Sequence, residues 1–399
     1  FDVDDSVLDT LAGGQVLTQI YNVTLEDGQG GAASQAVVVT LNGTNDAAVI
    51  GGTTSGNVVE AGGVANGTAN TPTASGTLTA ADVDNADDSF AVVSAPTLAA
   101  NGYGHYTIDA GGTWSYALDN GNAAVQALNV GDTLTDSFGV TSIDGTSQTI
   151  SITIDGTNDA AVLTADTVGL AETNAVLSTS GSLGISDVDN PANFVAQAGT
   201  AGTHGSFSID AAGAWSYTAG SAHDEFVAGT TYTDSFSVAA VDGTTTTVTI
   251  NILGTNDAAV IGGTVSGNVI EAGGVANGTA NTPTASGTLT AADVDNADDS
   301  FAVVSAPTLG ANGYGSYTID AGGNWSYALD NSHAAVQALN AGDTLSDSFS
   351  VASIDGTSQT ISISIAGRND AAVITADTVG LTETNAVLST SGSLGISDV

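Results

Sequence analysis

The chain has 399 residues, 42% of them hydrophobic, and sets 43 acidic side chains against a single basic one, for a formal net charge of -42. That balance excludes nucleic acid and anionic membrane as electrostatic partners and points to cations, because the carboxylates have almost no positive side chain to face within a Debye length of roughly 8 Å. The hydrophobic content is too high for a disordered acidic tail, cysteine is absent, and no run of about 18 apolar residues is available for membrane insertion.

Residues 1–46 read as the C-terminal part of a repeat, since Phe1 to Gly28 lies over Leu118 to Gly145 at a constant offset. They end on Gly43-Thr44-Asn45-Asp46, which precedes Ala-Ala-Val and returns as Gly156-Thr157-Asn158-Asp159 and Gly254-Thr255-Asn256-Asp257. A fourth copy, Gly367-Arg368-Asn369-Asp370, carries the only basic residue. Its Asp residues are spaced 113, 98 and 113 residues apart, a domain-sized period rather than that of a solenoid. Each copy is read as a junction, which divides the chain into a long repeat at 47–159, a short one at 160–257, a long one at 258–370 and the N-terminal part of a short one at 371–399. Glu383 to Val399 repeats Glu172 to Val188 letter for letter. The chain is therefore expected to be a window from a longer repetitive protein.

Within 47–159, apolar and small polar residues alternate with period two, as in Thr149-Ile150-Ser151-Ile152-Thr153-Ile154. This predicts strands near residues 48–50, 74–81, 89–95, 105–109, 113–118, 133–143 and 148–154, with a single helical turn over 123–128. Seven short strands in a unit of this size predict an all-β fold of tandem two-sheet, Ig-like Greek-key β-sandwiches, which in series make an extended rod. Gly111 and Gly112 mark a hairpin before Trp114. Leu134, Phe138 and Val140 share a face with Asp136, which is expected at a sheet edge or an inward polar spot, and Trp114, Trp215 and Trp325 are expected to close the three cores.

The densest chemistry lies after the second of these strands. Asp82-Val83-Asp84-Asn85-Ala86-Asp87-Asp88 is copied as Asp293-Val294-Asp295-Asn296-Ala297-Asp298-Asp299 and, more sparsely, as Asp187-Val188-Asp189-Asn190. Two Asp at i and i+2 followed by Asn place several hard oxygen donors around one turn, and calcium takes six to eight such oxygens. Two further oxygen-bearing positions recur with them: Glu60, Glu172, Glu271 and Glu383 after each junction, and the pairs Asn45/Asp46, Asn158/Asp159, Asn256/Asp257 and Asn369/Asp370 inside it. The expected metal ligands are these residues with Asp82, Asp84, Asn85, Asp87, Asp88, Asp187, Asp189, Asn190, Asp293, Asp295, Asn296, Asp298 and Asp299. Asp87, Asp88, Asp298 and Asp299 predict tighter binding, or an additional ion, in the long units. The histidines offer no catalytic set: His105 corresponds to Ser316 and His333 to Asn122, so no enzyme is expected.

An early Glu, an Asp-x-Asp and an Asn-Asp linker resemble the calcium sites between cadherin domains. The unit as a whole resembles the VCBS repeat of large bacterial surface adhesins: Gly-Thr-Asn-Asp-Ala at the junction, Ser75-Gly76-Thr77-Leu78-Thr79 with Asp82-Val83-Asp84, Gly112-Thr113-Trp114-Ser115-Tyr116, and the run Val125 to Phe138. Ala-Ala in place of Ala-Pro after Asn-Asp, and Arg368, depart from the pattern. The resemblance implies a Ca²⁺-dependent extension module that spaces a tip domain from the cell, in an extracellular, surface-bound or secreted bacterial adhesin or biofilm protein. Its partners are then calcium ions, neighbouring domains of the same chain, and other copies if it associates laterally. A unit with strands of about ten residues spans on the order of 35 to 45 Å. Two alternative functions fit the residues: a self-assembling fibre or surface layer, and a glycan-binding module, which needs an open groove around Trp114.

Overall fold

Period-two alternation becomes antiparallel sheet wherever a turn residue lets the chain reverse, and the computed structural model, which describes residues 2–4, 6 and 8–398, follows this rule throughout. Phe1, Asp5, Val7 and Val399, in the expected terminal pieces, lie outside the described residues. Val16–Glu26 (β1) and Ala32–Asn42 (β2) form the first hairpin. The first complete unit then runs through Val49–Gly52 (β3), Ser55–Val59 (β4), Thr73–Ala81 (β5), Val93–Leu98 (β6), Gly104–Ile108 (β7), Thr113–Leu118 (β8), Ala123–Gln126 (α1), Thr133–Thr141 (β9) and Ser147–Asp155 (β10).

Two sheets pack face to face, one ordered β3-β5-β8-β7-β6 and the other β4-β10-β9. All pairs are antiparallel except β4 with β10. The β3–β4 segment thus lends one strand to each sheet. Gly56 permits that crossing, because a Cβ there would lie 2.9 Å from the Ala74 Cβ and 3.0 Å from the Trp114 ring. The same small, polar composition, Ser-Gly-Asn-Val-Val, hides β4 from any reading of alternation. Residues 89–92, expected as strand, instead bridge the sheets: Phe90 N–H donates to Ala110 O at 3.1 Å and Ala91 N–H to Thr141 O at 2.8 Å. Only from Val93 does the chain join a ladder, as an edge strand with Pro96 and a bulge.

The second unit builds its sheets from Val162–Leu163 (β11), Asp166–Ala171 (β12), Ser178–Ser182 (β13), Ile185–Ser186 (β14), Gln197–Ala201 (β15), Gly205–Ile209 (β16), Ala214–Ala219 (β17), Thr231–Ala239 (β18) and Thr245–Leu253 (β19). Its β13 and β14 are one interrupted strand, with Gly184 in the gap where the long unit has Thr79. The third unit, from Val260 to Ala366, repeats the five-stranded and three-stranded sheets of the first. Among the described residues every sheet is made of strands from one unit.

Each core is closed by one aromatic cluster. Trp114 is fully buried, meets Phe138 edge-on at 5.8 Å, and donates its indole N–H to Thr53 O at 2.8 Å. No aromatic face is left there for a sugar to stack on. Asp136 points inward beside it, 1% exposed, as do Asp234 and Asp347 in the other units. Its carboxylate accepts from Asn101 N–H at 2.9 Å, Ser137 N–H at 2.8 Å, Tyr103 N–H at 3.1 Å and Tyr116 O–H at 2.9 Å. Burial and this carboxylate push the Tyr116 hydroxyl well above its ordinary pKa. Replacing Asp136 with Ala leaves the buried Tyr116 hydroxyl and three half-buried amides without their acceptor and is expected to destabilise the first unit by about 3 kcal/mol, seen as a lowered urea midpoint of one transition. An unmoved transition contradicts that role.

Candidate metal centre

At the second junction the sandwich topology brings three separate segments together. The chain leaving β4 presents Glu60, the chain leaving β10 becomes the linker Asn158-Asp159, and the turn after β14 of the next unit supplies Asp187, Asp189 and Asn190. Glu60 is fully buried; its Oε1 accepts from Thr157 N–H at 2.9 Å, and its Oε2 has no partner. Asp159 is 5% exposed with both carboxylate oxygens unpartnered.

Within the Asp-x-Asp turn, Asp187 Oδ1 accepts from Asp189 N–H at 3.3 Å and Asn190 N–H at 3.0 Å, while Oδ2 is left over. Asp189 Oδ2 reaches back to accept from Asp159 N–H at 3.0 Å, which ties the turn to the linker. The first junction repeats this clamp: Asp84 Oδ2 accepts from Asp46 N–H at 3.1 Å, and Asp82 Oδ1 accepts from the Asp84 and Asn85 amides, both at 3.2 Å. In all four linkers the Asn side chain donates to the carbonyl of the next Asp, from Asn45, Asn158, Asn256 and Asn369, at 2.7 to 3.0 Å. The nitrogen is thereby occupied, and at Asn158 the oxygen also has a partner, accepting from Asn190 Nδ2 at 2.8 Å.

At the third junction Glu172 accepts from Thr255 O–H at 2.6 Å, and Asp257 Oδ1 accepts from Asn174 Nδ2 at 2.8 Å. Asp293 Oδ1 accepts from Asp295 N–H at 3.2 Å, and the second oxygen pair again includes an unpartnered, buried one, Asp295 Oδ1. At the fourth, Glu271 Oε1 accepts from Arg368 N–H at 2.6 Å, and Glu271 Oε2 and Asp370 Oδ2 have no partner.

The electrostatics follow from packing carboxylates without cations. Burial, together with Asp159 and Asp189, pushes the Glu60 carboxyl up to about 7. Burial and Asp187 raise Asp159; burial, Glu172 and Asp224 raise Asp257; burial and Asp370 raise Glu271. Among the described residues the single ion pair joins His223 to Glu225, so no basic side chain neutralises these clusters.

Residues 45–156, 158–254 and 256–367 each match the profile of the bacterial cadherin-like domain. The chain belongs to that family. Among solved structures it is similar to Protocadherin Gamma B7 extracellular cadherin domains 1–4, at 17% identity over 88% of this chain and 83% of that one, with a TM-score of 0.40. It is similar also to Protocadherin Gamma B2 extracellular cadherin domains 1–5, at 13% identity over 88% and 65% of the two chains, with a TM-score of 0.42. A third is a Ca²⁺-stabilized adhesin of an Antarctic bacterium, at 16% identity over 89% and 82%, with a TM-score of 0.26. No curated protein matches the sequence.

Not every expected ligand of these cadherin-like units joins a cluster. Asp87 and Asp88 are exposed and cap their own turn: Asp87 Oδ1 accepts from Ser89 N–H at 3.2 Å and Asp88 Oδ1 from Asp82 N–H at 2.9 Å. Asp298 and Asp299 do the same at Ser300 and Asp293. Asn85 and Asn296 turn their oxygens to the Asp87 and Asp298 amides, both at 3.1 Å. Glu383 is exposed on the terminal segment.

Two sets of residues went unread in the sequence. Asp144, Asp242 and Asp355, on the turn between the last two strands, accept from Ala48, Ala161 and Ala259 N–H at 3.1, 2.9 and 3.1 Å, and so fasten the chain just after each linker. Hydrogen bonds from Ser142 and Thr146 hold Asp144 below the usual carboxylate range. The recurrence of Asp-Gly-Thr at all three places is the signal that marks them. Asp224 has no such signal, yet its carboxylate lies with those of Glu172 and Asp257, ligand atoms within 4.8 Å of one another. His223 and His333 also prove equivalent in the fold, each accepting the amide three residues on, from Phe226 and Val336, at 2.9 Å; they cap a turn.

Proposed function

We propose that the chain is a calcium-stiffened extension region of a secreted bacterial adhesin or biofilm protein of the VCBS type, spacing a distal domain from the cell surface. The observation that carries this reading is the set of buried, unpartnered carboxylate oxygens: those of Glu60, Asp159 and Asp187 around the second linker, of Glu172, Asp257 and Asp295 around the third, and of Glu271 and Asp370 at the fourth. Unpaired buried carboxylates repel, whereas a divalent cation with a preference for six to eight hard oxygens satisfies them together. Glu60, Asp159, Asp187 and Asp189 would hold the ion at the second junction, and Glu172, Asp257 and Asp295 at the third. The bound ion would supply charge neutralisation and cross-link one unit to the next. The chain's own residues fix the geometry: Asp189 and Asp242 anchor the linker amides, and Thr157 orients Glu60.

A stalk rather than a lateral fibre is favoured by the edge strands. The exposed β6 carries Pro96 and a bulge, and its counterpart β15 has a bulge with Gly199 at φ 64°, devices that discourage edge-to-edge pairing. Calorimetric titration of the chain with calcium is expected to show saturable binding. The triple variant Glu60→Gln, Glu172→Gln and Glu271→Gln should weaken it by about tenfold or more at the affected junctions, with the far-ultraviolet β signal unchanged. An unaltered isotherm contradicts the assignment.

A further inference from the structure

The junction that follows the short unit differs from one that follows a long unit at two places in the same turn. Backbone hydrogen bonds set the register. Phe226 N–H donates to His223 O at 2.9 Å as Val125 N–H does to Asn122 O at 3.0 Å, and Thr230 N–H donates to Val227 O at 3.0 Å as Asp132 N–H does to Asn129 O at 2.9 Å. Asp224 therefore stands where the long units have Ala123 and Ala334, and Val227 stands where they have Asn129 and Asn340.

Each exchange alters how the junction is held. In the short unit the Asp224, Glu172 and Asp257 carboxylates converge, and each keeps a buried oxygen without a partner: Oδ1, Oε1 and Oδ2 respectively. Glu172 is 2% exposed and Asp257 8%. After the long unit neutral amides serve instead. Asn129 Nδ2 donates to Asn190 Oδ1 at 2.5 Å, and Asn190 Nδ2 donates to Asn158 Oδ1 at 2.8 Å, so that unit, linker and following unit are joined without a charge.

We infer that the junctions alternate between two classes, with Asp224 making the one after a short unit the tighter calcium site and the amide bridge serving the one after a long unit. The inference rests on the calcium reading above and deepens it. Around one linker stand Glu172, Asp224, Asp257, Asp293 and Asp295; around the other stand Glu60, Asp159, Asp187 and Asp189. Calcium affinity rises with ligand charge count, and one more carboxylate beside a divalent ion is worth about tenfold. As calcium rises, short-to-long junctions fill first. The chain then passes through a stage in which two-unit segments are rigid and the hinges lie after the long units.

Calcium calorimetry on the full chain tests this with two variants. Wild type is expected to show two affinity classes about tenfold apart. Asp224→Asn should bring the tight class down onto the weak one, and Ala123→Asp, at an exposed position of α1, should raise a weak site towards the tight class. If Asp224→Asn misfolds, Ala123→Asp still decides. Two classes in wild type that both variants leave in place would overturn the role of Asp224 while leaving calcium binding intact. An absence of any calcium heat in wild type would sink the underlying reading itself.

Discussion

In chelator, trypsin should cut the chain once and quickly, after Arg368, and saturating calcium should slow that cut by about a hundredfold. Arg368 is the only basic residue, so no other site competes. The backbone of the segment 368–371 is held by three hydrogen bonds: Arg368 N–H to Glu271 Oε1 at 2.6 Å, Gly274 N–H to Asn369 O at 3.1 Å and Ala371 N–H to Gly274 O at 3.2 Å. A protease needs several residues extended and free, so cleavage waits on local opening of this segment. An ion bound by Glu271 and Asp370 stabilises the closed form, and at about 100 times its dissociation constant suppresses opening by about a hundredfold. Equal rates with and without calcium would show that this junction takes no ion.

The second large effect is a reversal of pH dependence. Glu60 is buried among Asp159 and Asp189 and titrates at about 7 in the fold, above its ordinary 4.5. The folded calcium-free chain therefore binds a proton that the unfolded chain has released over that interval. Its stabilisation is fully present below 4.5 and is lost as pH rises through about 7. Urea unfolding in chelator should show the first unit more stable at about pH 5 than at about pH 8. With calcium the order inverts, because the ion takes the place of the proton, and affinity should fall by up to about tenfold per unit below pH 7. Glu60→Gln should flatten both slopes at that junction. A calcium-free stability that rises across the interval contradicts the buried acidic cluster.

Much of this architecture is legible in the residues because a sandwich strand with one wet face writes its burial into the alternation. Thr149 to Ile154 and the inward set Leu134, Asp136, Phe138 and Val140 are examples. What escapes is the segment whose role depends on partners rather than period. Strand β4 is polar and glycine-bearing because it lies over Trp114, and residues 89–92 alternate like a strand yet bond to both sheets. The junction shows the same division. Glu60, Asp159, Asp187 and Asp189 are visible as recurring oxygen donors, and the fold brings them together. Asp87 and Asp88 look equally suited, but both are exposed and each turns one oxygen to an amide of its own turn, a local choice that composition does not reveal. Asp224 occurs once, on a turn far from the junction in sequence, and only the closing of the sandwich carries it to Glu172.

The central claim is that calcium joins successive units into a stiff rod, and small-angle scattering of the full chain, titrated with calcium and then with chelator, tests it most directly. Calcium should extend the maximum dimension towards a linear stack of units, and chelator should shorten it while the β-sheet signal stays constant. The same maximum dimension in both states would contradict the account.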